Sequence, residues 1–559
     1  MPNQETPETV KTPRPSVQKT AAIASLGCPK NLVDSESMVG RLRAAGYLVT
    51  TEAERVDLFL INTCGFLRSA RQEAEEYIKE ALEQKASGSV GKLVVSGCAV
   101  VSDGAELATL YPDVDAWIGP NDEARIVEIV ESLTPSPANA SAPESTEESA
   151  PALPTLNVLT PREAERAREE ERAAATSSKI FASKFRSLAL DDSQRAPLTA
   201  PHVAYLKIAD GCDRFCSYCA IPNIRGRYVS KPFETILDEA KRLADSGVRE
   251  LVLIAQETTF WGSDLYAKPD LARLLAALKN LNLFDWIRVL YAYPLFWDAE
   301  LVSLFKLEER GTTSILPYVD LPLQHCNSEL LRRMNRRVDK IQTEELLARL
   351  REEIPGVVLR TSFIVGFPGE TDEMFQELVE FVERRHFERA GVFEFSPEPG
   401  TPALAMPNQV DPKTKKRRFE RLYARQERVS RHFARTQVGK TLDVLLDSFA
   451  LDESGAAMSS VCLGRTAADA PDVDPVVYVT GRNIAPGEIV TCEIVEASAL
   501  DLVAVPVDPD KIYVPKSERR EARQREDSRK QKEAKREKNR ANRAKKRENR
   551  ERNRRENNS

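Results

Sequence analysis

The stretch Cys212-Asp213-Arg214-Phe215-Cys216-Ser217-Tyr218-Cys219 constrains this chain more than any other. Three cysteines stand there with three and then two residues between them. Such a loop can wrap three thiolates round one face of a small metal centre, but it cannot easily supply a fourth ligand of its own. A zinc site normally closes on four ligands. The first histidine beyond the loop is His325, so a structural zinc knuckle would have to borrow a distant partner. An iron–sulfur cube held by three cysteines instead keeps one iron open for a small molecule. Cys212, Cys216 and Cys219 are therefore candidate metal ligands at a reactive centre.

The N-terminal part repeats a related theme. Ala21–Ser25 reads as a short buried strand and runs into Leu26-Gly27-Cys28-Pro29-Lys30-Asn31, a loop that opens a helix near Asp34 to Ala45. Val56–Ile61 is a second strand, ending at Asn62-Thr63-Cys64-Gly65 and followed by an amphipathic helix from Ser69 to about Gln84. Lys92–Val95 is a third, ending at Ser96-Gly97-Cys98. Trp117-Ile118-Gly119-Pro120-Asn121 reads as another short strand and turn. Strands alternating with helices favour a parallel sheet, whose ligands bind beyond the carboxyl ends of the strands. Cys28, Cys64 and Cys98, each at a strand end, should converge into a second three-thiol site. Any one of them alone would pass for a small buried hydrophobe.

At 559 residues the chain should hold three or four domains. No run of about 18 apolar residues marks a membrane helix. The polar first 19 residues lack the apolar centre of a signal peptide and read as disordered. Nine cysteines without regular pairing argue against a secreted disulfide framework and for a reducing, cytoplasmic setting. The net charge of −6 hides an asymmetry: 516–559 holds 20 Lys and Arg against 9 Asp and Glu, a net of +11, which leaves −17 for the rest. A basic tail on an acidic body suits an anionic partner, most simply RNA, or else a solvated solubility tail.

Residues about 134 to 200 read as insert and linker, rich in Pro, Ala, Ser and Glu at the start, with a charged helix at Arg162 to Ala175 that has no apolar face. A second domain, 201–436, opens on the strand Val203–Ile208 just before the cysteine loop. About six strand-then-helix units follow from there: Phe233–Ser246, Glu250–Ala255 with Pro269–Leu281, Ile287–Ala292 with Ala299–Leu307, Ile315–Leu321 with Ser328–Met334, Val357–Val365 with Asp372–Arg385, and Gly391–Phe395 at the end. Six units give an incomplete barrel, more open than the eight-unit closed form. Two further strand ends carry candidate residues. Gly366, Pro368, Gly369 and Glu370 form a turn whose glycines let backbone approach a ligand. His325, in Leu321-Pro322-Leu323-Gln324-His325-Cys326, could donate to a substrate, although a lone histidine is more often structural. A basic helix from Pro412 to about Arg435 leads to short β segments over 437–506, including Thr441–Asp447, Val476–Thr480, Ile489–Ile494 and Leu502–Val505. These fit a small β-barrel. A low-complexity tail, 507–559, closes the chain.

Three dispersed cysteines at 20–133, the cysteine loop in a barrel domain and a small terminal β-barrel resemble the radical S-adenosylmethionine methylthiotransferase family, which ends in a TRAM domain. The resemblance covers about 20–133 and 201–506. It implies an α/β multidomain protein: an N-terminal parallel α/β sheet domain, a central incomplete (β/α)6 TIM-like barrel, and a small all-β TRAM-like barrel before the disordered basic tail. The segments 25–36, from Ser25-Leu26-Gly27-Cys28-Pro29-Lys30-Asn31 to Glu36, Asn62-Thr63-Cys64-Gly65-Phe66, Ile254-Ala255-Gln256-Glu257-Thr258-Thr259 and Leu321-Pro322-Leu323-Gln324-His325 look like the RimO type, which modifies an aspartate of small-subunit ribosomal protein S-twelve. The branch that modifies a tRNA adenosine typically has Gln-Met in place of Pro29-Lys30 and Gln-Ser in place of Gln324-His325.

The resemblance implies two 4Fe-4S clusters. Residues matching Cys212, Cys216 and Cys219 hold the cluster whose open iron chelates S-adenosylmethionine; reduction then gives a 5′-deoxyadenosyl radical that takes a hydrogen from the aspartate β-carbon. Residues matching Cys28, Cys64 and Cys98 hold the cluster that carries the sulfur donor, and a second S-adenosylmethionine supplies the methyl group. The Gly366–Glu370 turn would line the S-adenosylmethionine pocket. An electron donor and a sulfur donor are implied partners, the two cysteine sets should face each other across the substrate, and a monomer is the default. A tRNA methylthiotransferase and a non-catalytic iron–sulfur or zinc protein that binds ribosomes are the rival readings. The tail lies outside the resemblance. If it binds ribosomal RNA, deleting Lys516–Ser559 weakens ribosome co-sedimentation, with the largest loss at low salt.

Overall fold

The computed structural model describes residues 19–50, 55–133, 179–183, 192–309, 311–385 and 387–512. The expected disordered start (1–18 of it), the charged helix at 162–175 and the basic tail from 513 lie outside the described residues. The chain divides into two compact units: Met1–Thr436 with Ala467–Asp474, and Gln437–Thr466 with Pro475–Ser559.

The first unit opens with a six-stranded parallel sheet of order β2-β1-β3-β4-β5-β6. Its strands are β1 (Thr20–Ser25), β2 (Leu48–Val49), β3 (Val56–Thr63), β4 (Val90–Gly97), β5 (Ala116–Ile118) and β6 (Ile180–Phe181). Both faces are covered, so the strands are apolar on both sides. Alternate residues go to opposite cores. Ile61, Leu93 and Val95 pack with Ala74 and Ile78 of helix α2 (Arg68–Ala86) and with Ala99 and Leu107 of α3 (Cys98–Leu110). Leu58, Leu60 and Val94 pack with Met38 and Leu42 of α1 (Pro29–Ala44) and with Ile126 and Ile129 of α4 (Ile126–Ser132).

Two local features depart from the sequence reading. Helix α1 begins at Pro29 rather than near Asp34, with extended Cys28 as its N-cap. Proline at the first helical position has its φ preset and loses no needed N–H there. The insert is also more than linker, since Ile180 and Phe181 pair in parallel with Trp117 and Ile118 as an edge strand.

The barrel of the first unit runs through β7 (Val203–Lys207), β10 (Glu250–Ile254), β11 (Trp286–Val289) and β12 (Ser314–Ile315), then β13 (Tyr318–Asp320), β14 (Val358–Val365) and β15 (Arg389–Glu394), every pairing parallel. A two-stranded ribbon, β8 (Ala209–Asp210) with β9 (Val229–Ser230), flanks the cysteine loop. The strand expected over Ile315–Leu321 is broken at Leu316-Pro317: its first part pairs with β11 and its second with β14. Pro317 has no N–H to donate to a ladder. Among the described residues no pairing joins β15 to β7, so the six-unit barrel stays open there. Its main core cluster includes Leu206, Leu253, Ile287, Val289, Phe363 and Phe387, all buried, and the strands also bury the Arg288–Glu250 ion pair. In the helix Phe233–Asp245 the inward residues Ile236, Ala240 and Leu243 recur at helical spacing. The helix Lys340–Glu353 starts at a full capping box between Asp339 and Gln342.

The second unit is a closed five-stranded barrel of β16 (Thr441–Leu451), β17 (Ala457–Arg465), β18 (Val477–Thr480), β19 (Ile489–Ser498) and β20 (Asp501–Pro506), in the order β16-β17-β18-β20-β19. Four of its strands match the expected segments, and Ala457–Arg465 adds the fifth. Among the described residues no helix is long and apolar enough to cross a membrane.

Gly97 joins β4 to α3 with φ +99, and a Cβ there would stand 2.3 Å from Asn62 Oδ1 and 2.4 Å from the Thr63 carbonyl oxygen. Gly97→Ala therefore meets both a left-handed backbone and backbone that cannot yield. The expected cost is roughly 2–5 kcal/mol, read as a lower denaturation midpoint with an unchanged slope.

Candidate active site

Three neighbouring strands of the first sheet end side by side, and each delivers one cysteine. Cys28 caps α1 after β1, Cys64 follows β3, and Cys98 is the first residue of α3 after β4. The expected convergence is present. Cys28 Sγ and Cys98 Sγ lie 3.7 and 3.8 Å from the same atom, Asn31 Oδ1. Cys64 packs where Gly27 has no side chain: a Cβ on Gly27 would be 3.3 Å from Cys64 Sγ. Asn31 itself is buried. Its amide donates to the carbonyls of Leu26 (3.3 Å) and Thr63 (2.9 Å), so it ties the first and second cysteine loops together. Burial pushes the Cys98 thiol up to about 12 and raises that of Cys64, with the neighbouring sulfurs adding to the effect.

The second set lies in the loop after β8. Gly211 turns with φ +75, against the Arg227 carbonyl, and Cys212 N donates to Gly226 O (3.2 Å). Phe215 takes φ +48, a left-handed conformation costly for a side chain of that size. The segment after the helix Ser328–Arg333 holds the loop in place. Ser217 N donates to Met334 O (3.0 Å), Ser217 Oγ to Arg333 O (2.8 Å) and Asn335 Nδ2 to Phe215 O (2.8 Å). Burial pushes the Cys212 thiol up to about 12, and it raises Cys219 further, with Cys216 contributing. Arg336 reaches to 4.0 Å from Cys216 Sγ and lies over the Tyr293 ring. Arg214 pairs with Glu257 and stacks on Tyr293 and Phe260.

The two cysteine loops lie against each other. Cys98 packs against Ala220 and Ile224 of the short helix that follows Cys219. Arg225, at the end of that helix, is buried and donates to Asn31 Oδ1 (2.8 Å), Asp34 Oδ2 (2.7 Å) and Asp210. Asp34 also pairs with Lys207 of β7. A second buried group joins the same parts of the chain: Lys231 to Asp192 and Glu239 (2.6 Å each), and Arg195 to Glu36 (2.7 Å) and Glu239 (2.8 Å). Asp192 and Arg195 belong to the stretch read as insert. None of these partners was singled out from the sequence. The one signal was charge inside apolar segments, as with Lys207 in Val203–Ile208.

His325 and the Gly366–Glu370 turn come together at the carboxyl end of β14. His325 Nδ1 accepts from Asn327 N (3.0 Å), which leaves Nε2 as donor to Glu370 (3.3 Å). Both ring nitrogens are thus engaged inside the protein. Glu370 also accepts from Gly366 N and from Arg418 (2.8 Å). The space at Gly366 and Gly369 is taken by the Lys415 and Arg333 side chains.

Three thiols, one buried and two half-buried in each set, with no His, Asp or Glu completing them among the described residues, suit an iron–sulfur cluster that keeps one iron free. Among the described residues no three His, Cys, Asp or Glu side chains are grouped to hold a single metal ion.

Family patterns match three parts of the chain: the Radical SAM superfamily over 206–382, the uncharacterised family UPF0004 over 20–119, and the TRAM domain over 438–507. The chain is 38% identical over 487 residues to the ribosomal protein uS12 methylthiotransferase RimO of Trichlorobacter lovleyi, covering 87% of this chain and 98% of that one. It is 38% identical over 489 residues to the RimO of Geobacter sulfurreducens, with the same two shares. A solved structure of the radical S-adenosylmethionine methyltransferase TsrM of Kitasatospora setae overlaps 69% of this chain and 77% of its own, with a TM-score of 0.45 and 15% identity.

In the metal-free chain the raised thiols stay protonated at neutral pH. At pH 8 the thiolate fraction of Cys98 and Cys212 should be roughly a thousandfold below that of an ordinary thiol. Alkylation followed by peptide mass spectrometry should show both labelling slowly, about tenfold faster per pH unit. Because folding holds these protons on, metal-free stability should fall as pH rises above about 9.

Proposed function

The chain belongs to the ribosomal protein uS12 methylthiotransferase family of radical S-adenosylmethionine enzymes, and on that premise we propose that it adds a methylthio group to the β-carbon of an aspartate in uS12. The observation that carries the reading is the contact between the two cysteine loops, with Cys98 of one packed on Ala220, next to Cys219 of the other. A single cluster would explain radical formation alone. A second set a few side chains away supports sulfur delivery to the same carbon.

In this reading Cys212, Cys216 and Cys219 hold the cluster that binds S-adenosylmethionine, and Cys28, Cys64 and Cys98 hold a second 4Fe-4S cluster. When bound, the clusters and S-adenosylmethionine supply the radical that removes a β-hydrogen and the sulfur and methyl group that replace it. The chain's own residues position and shield. Arg336 near Cys219 and Arg225 near Cys98 put positive charge next to each set, which works against the upward push of burial on those thiols. Glu370, held by Arg418 and His325, fixes the Gly366–Glu370 turn at the strand edge where S-adenosylmethionine is expected; His325 acts through that carboxylate rather than on a substrate. The β-barrel unit docks the ribosomal partner, and the basic tail adds salt-sensitive affinity for ribosomal RNA.

Mass spectrometry of uS12 from cells with and without this protein tests the reading. A methylthio mass gained on one aspartate and lost in Cys212→Ala is the expected result. A methylthio group on tRNA with uS12 unchanged would move the chain to the other branch. In purified protein, Cys64→Ala and Cys216→Ala should each remove about half of the cluster iron.

A further inference from the structure

Four lysines of the first unit are buried: Lys30, Lys207, Lys231 and Lys415. Three have acceptors. Lys207 pairs with Asp34, Lys231 with Asp192 and Glu239, and Lys415 donates to the Phe395 carbonyl oxygen (2.9 Å). Lys30, only 8% exposed, has no hydrogen-bond acceptor and no carboxylate among the described residues. Its Nζ lies 3.3 Å from the centroid of the Tyr291 ring. The side chain is buried, and its ammonium has a ring face rather than an anion beside it.

The local setting makes the position more costly. Lys30 is the second residue of α1, and no acid stands in that helix's first turn. The positive end of the helix dipole disfavours a cation there. Tyr291, two residues past β11 at the carboxyl mouth of the barrel, is held with φ +60. Its N–H donates to Asp320 (2.9 Å) and its carbonyl accepts from Thr258 N (3.1 Å). Asp320 is already engaged, with its other oxygen on Arg360 (3.1 Å). A strained loop thus presents an aromatic face to an unneutralised cation two residues from Cys28. Breaking local rules in this way without a compensating partner is characteristic of a binding site.

We propose that Lys30, seated on Tyr291, binds the side-chain carboxylate of the substrate aspartate and so determines specificity for an acidic residue. The inference rests on the function proposed above. In aspartate the carboxyl carbon is bonded directly to the β-carbon. A cation at the Tyr291 ring, two residues along the chain from Cys28, therefore holds the reacting carbon one bond from the carboxylate it grips. The carboxylate of S-adenosylmethionine is the other source of the same chemistry, and the experiment separates the two.

The test uses the full chain with its clusters reconstituted, as wild type, Lys30→Met and Lys30→Arg. Substrates are uS12 and uS12 with the target aspartate changed to asparagine. Wild type should prefer the aspartate substrate in kcat/KM by about tenfold or more. In Lys30→Met, KM for uS12 should rise about tenfold and the preference should shrink to near unity, while Lys30→Arg keeps part of it. Bound iron and S-adenosylmethionine affinity should match wild type in both variants. A preference that survives in Lys30→Met overturns the proposal. Lost iron or weakened S-adenosylmethionine binding also overturns it, and assigns Lys30 to the cofactors. A wild-type enzyme that cleaves S-adenosylmethionine yet leaves uS12 unmodified overturns the proposed function itself.

Discussion

Arg225 carries a full charge into an interior that cannot solvate it, and the site depends on how that charge is satisfied. Its guanidinium reaches Asn31 and Asp34 on the first helix and Asp210 on the barrel side. Desolvating such ions costs several kcal/mol each, so a buried network of this kind is weak as a source of net stability. It does specify geometry. A docking that buried Arg225, Asp34 and Lys207 without these partners would be costly. The arrangement that satisfies them is the one in which Cys98 packs on Ala220.

The same logic explains why Asn31 matters although it bears no charge. Its oxygen meets Arg225 and approaches two cysteine sulfurs, while its amide holds the carbonyls of two cysteine loops. One side chain thus couples the spacing of the first thiol set to the position of the second. By contrast, His325 and Glu370 form a separate brace with Arg418 that stiffens the turn after β14.

Much of this was legible along the chain. Buried parallel strands such as Glu250–Ile254 carry continuous apolar runs, here Leu251 to Ile254, and their order with helices leaves few topologies. The six cysteines stood out because thiols at strand ends and at close spacing have few structural uses. The misreadings have local causes. The start of α1 was placed late because a Cys-Pro-Lys-Asn stretch carries turn residues, although Pro29 suits the first helical position. Pro317 split a strand that read as continuous, and Ile180–Phe181 was too short to register as a strand within an insert of linker composition.

Sequence alone determined the element order, the six thiols and the resemblance to a family, since each depends on residue type at short spacing. Tertiary structure decided what those thiols face. Arg225 meets Asn31 across 194 positions, and Lys30 meets Tyr291 across a still longer separation. Charge pairing and cation–ring contact act over a few ångströms of space, whatever the distance along the chain, so only the folded chain brings these partners together.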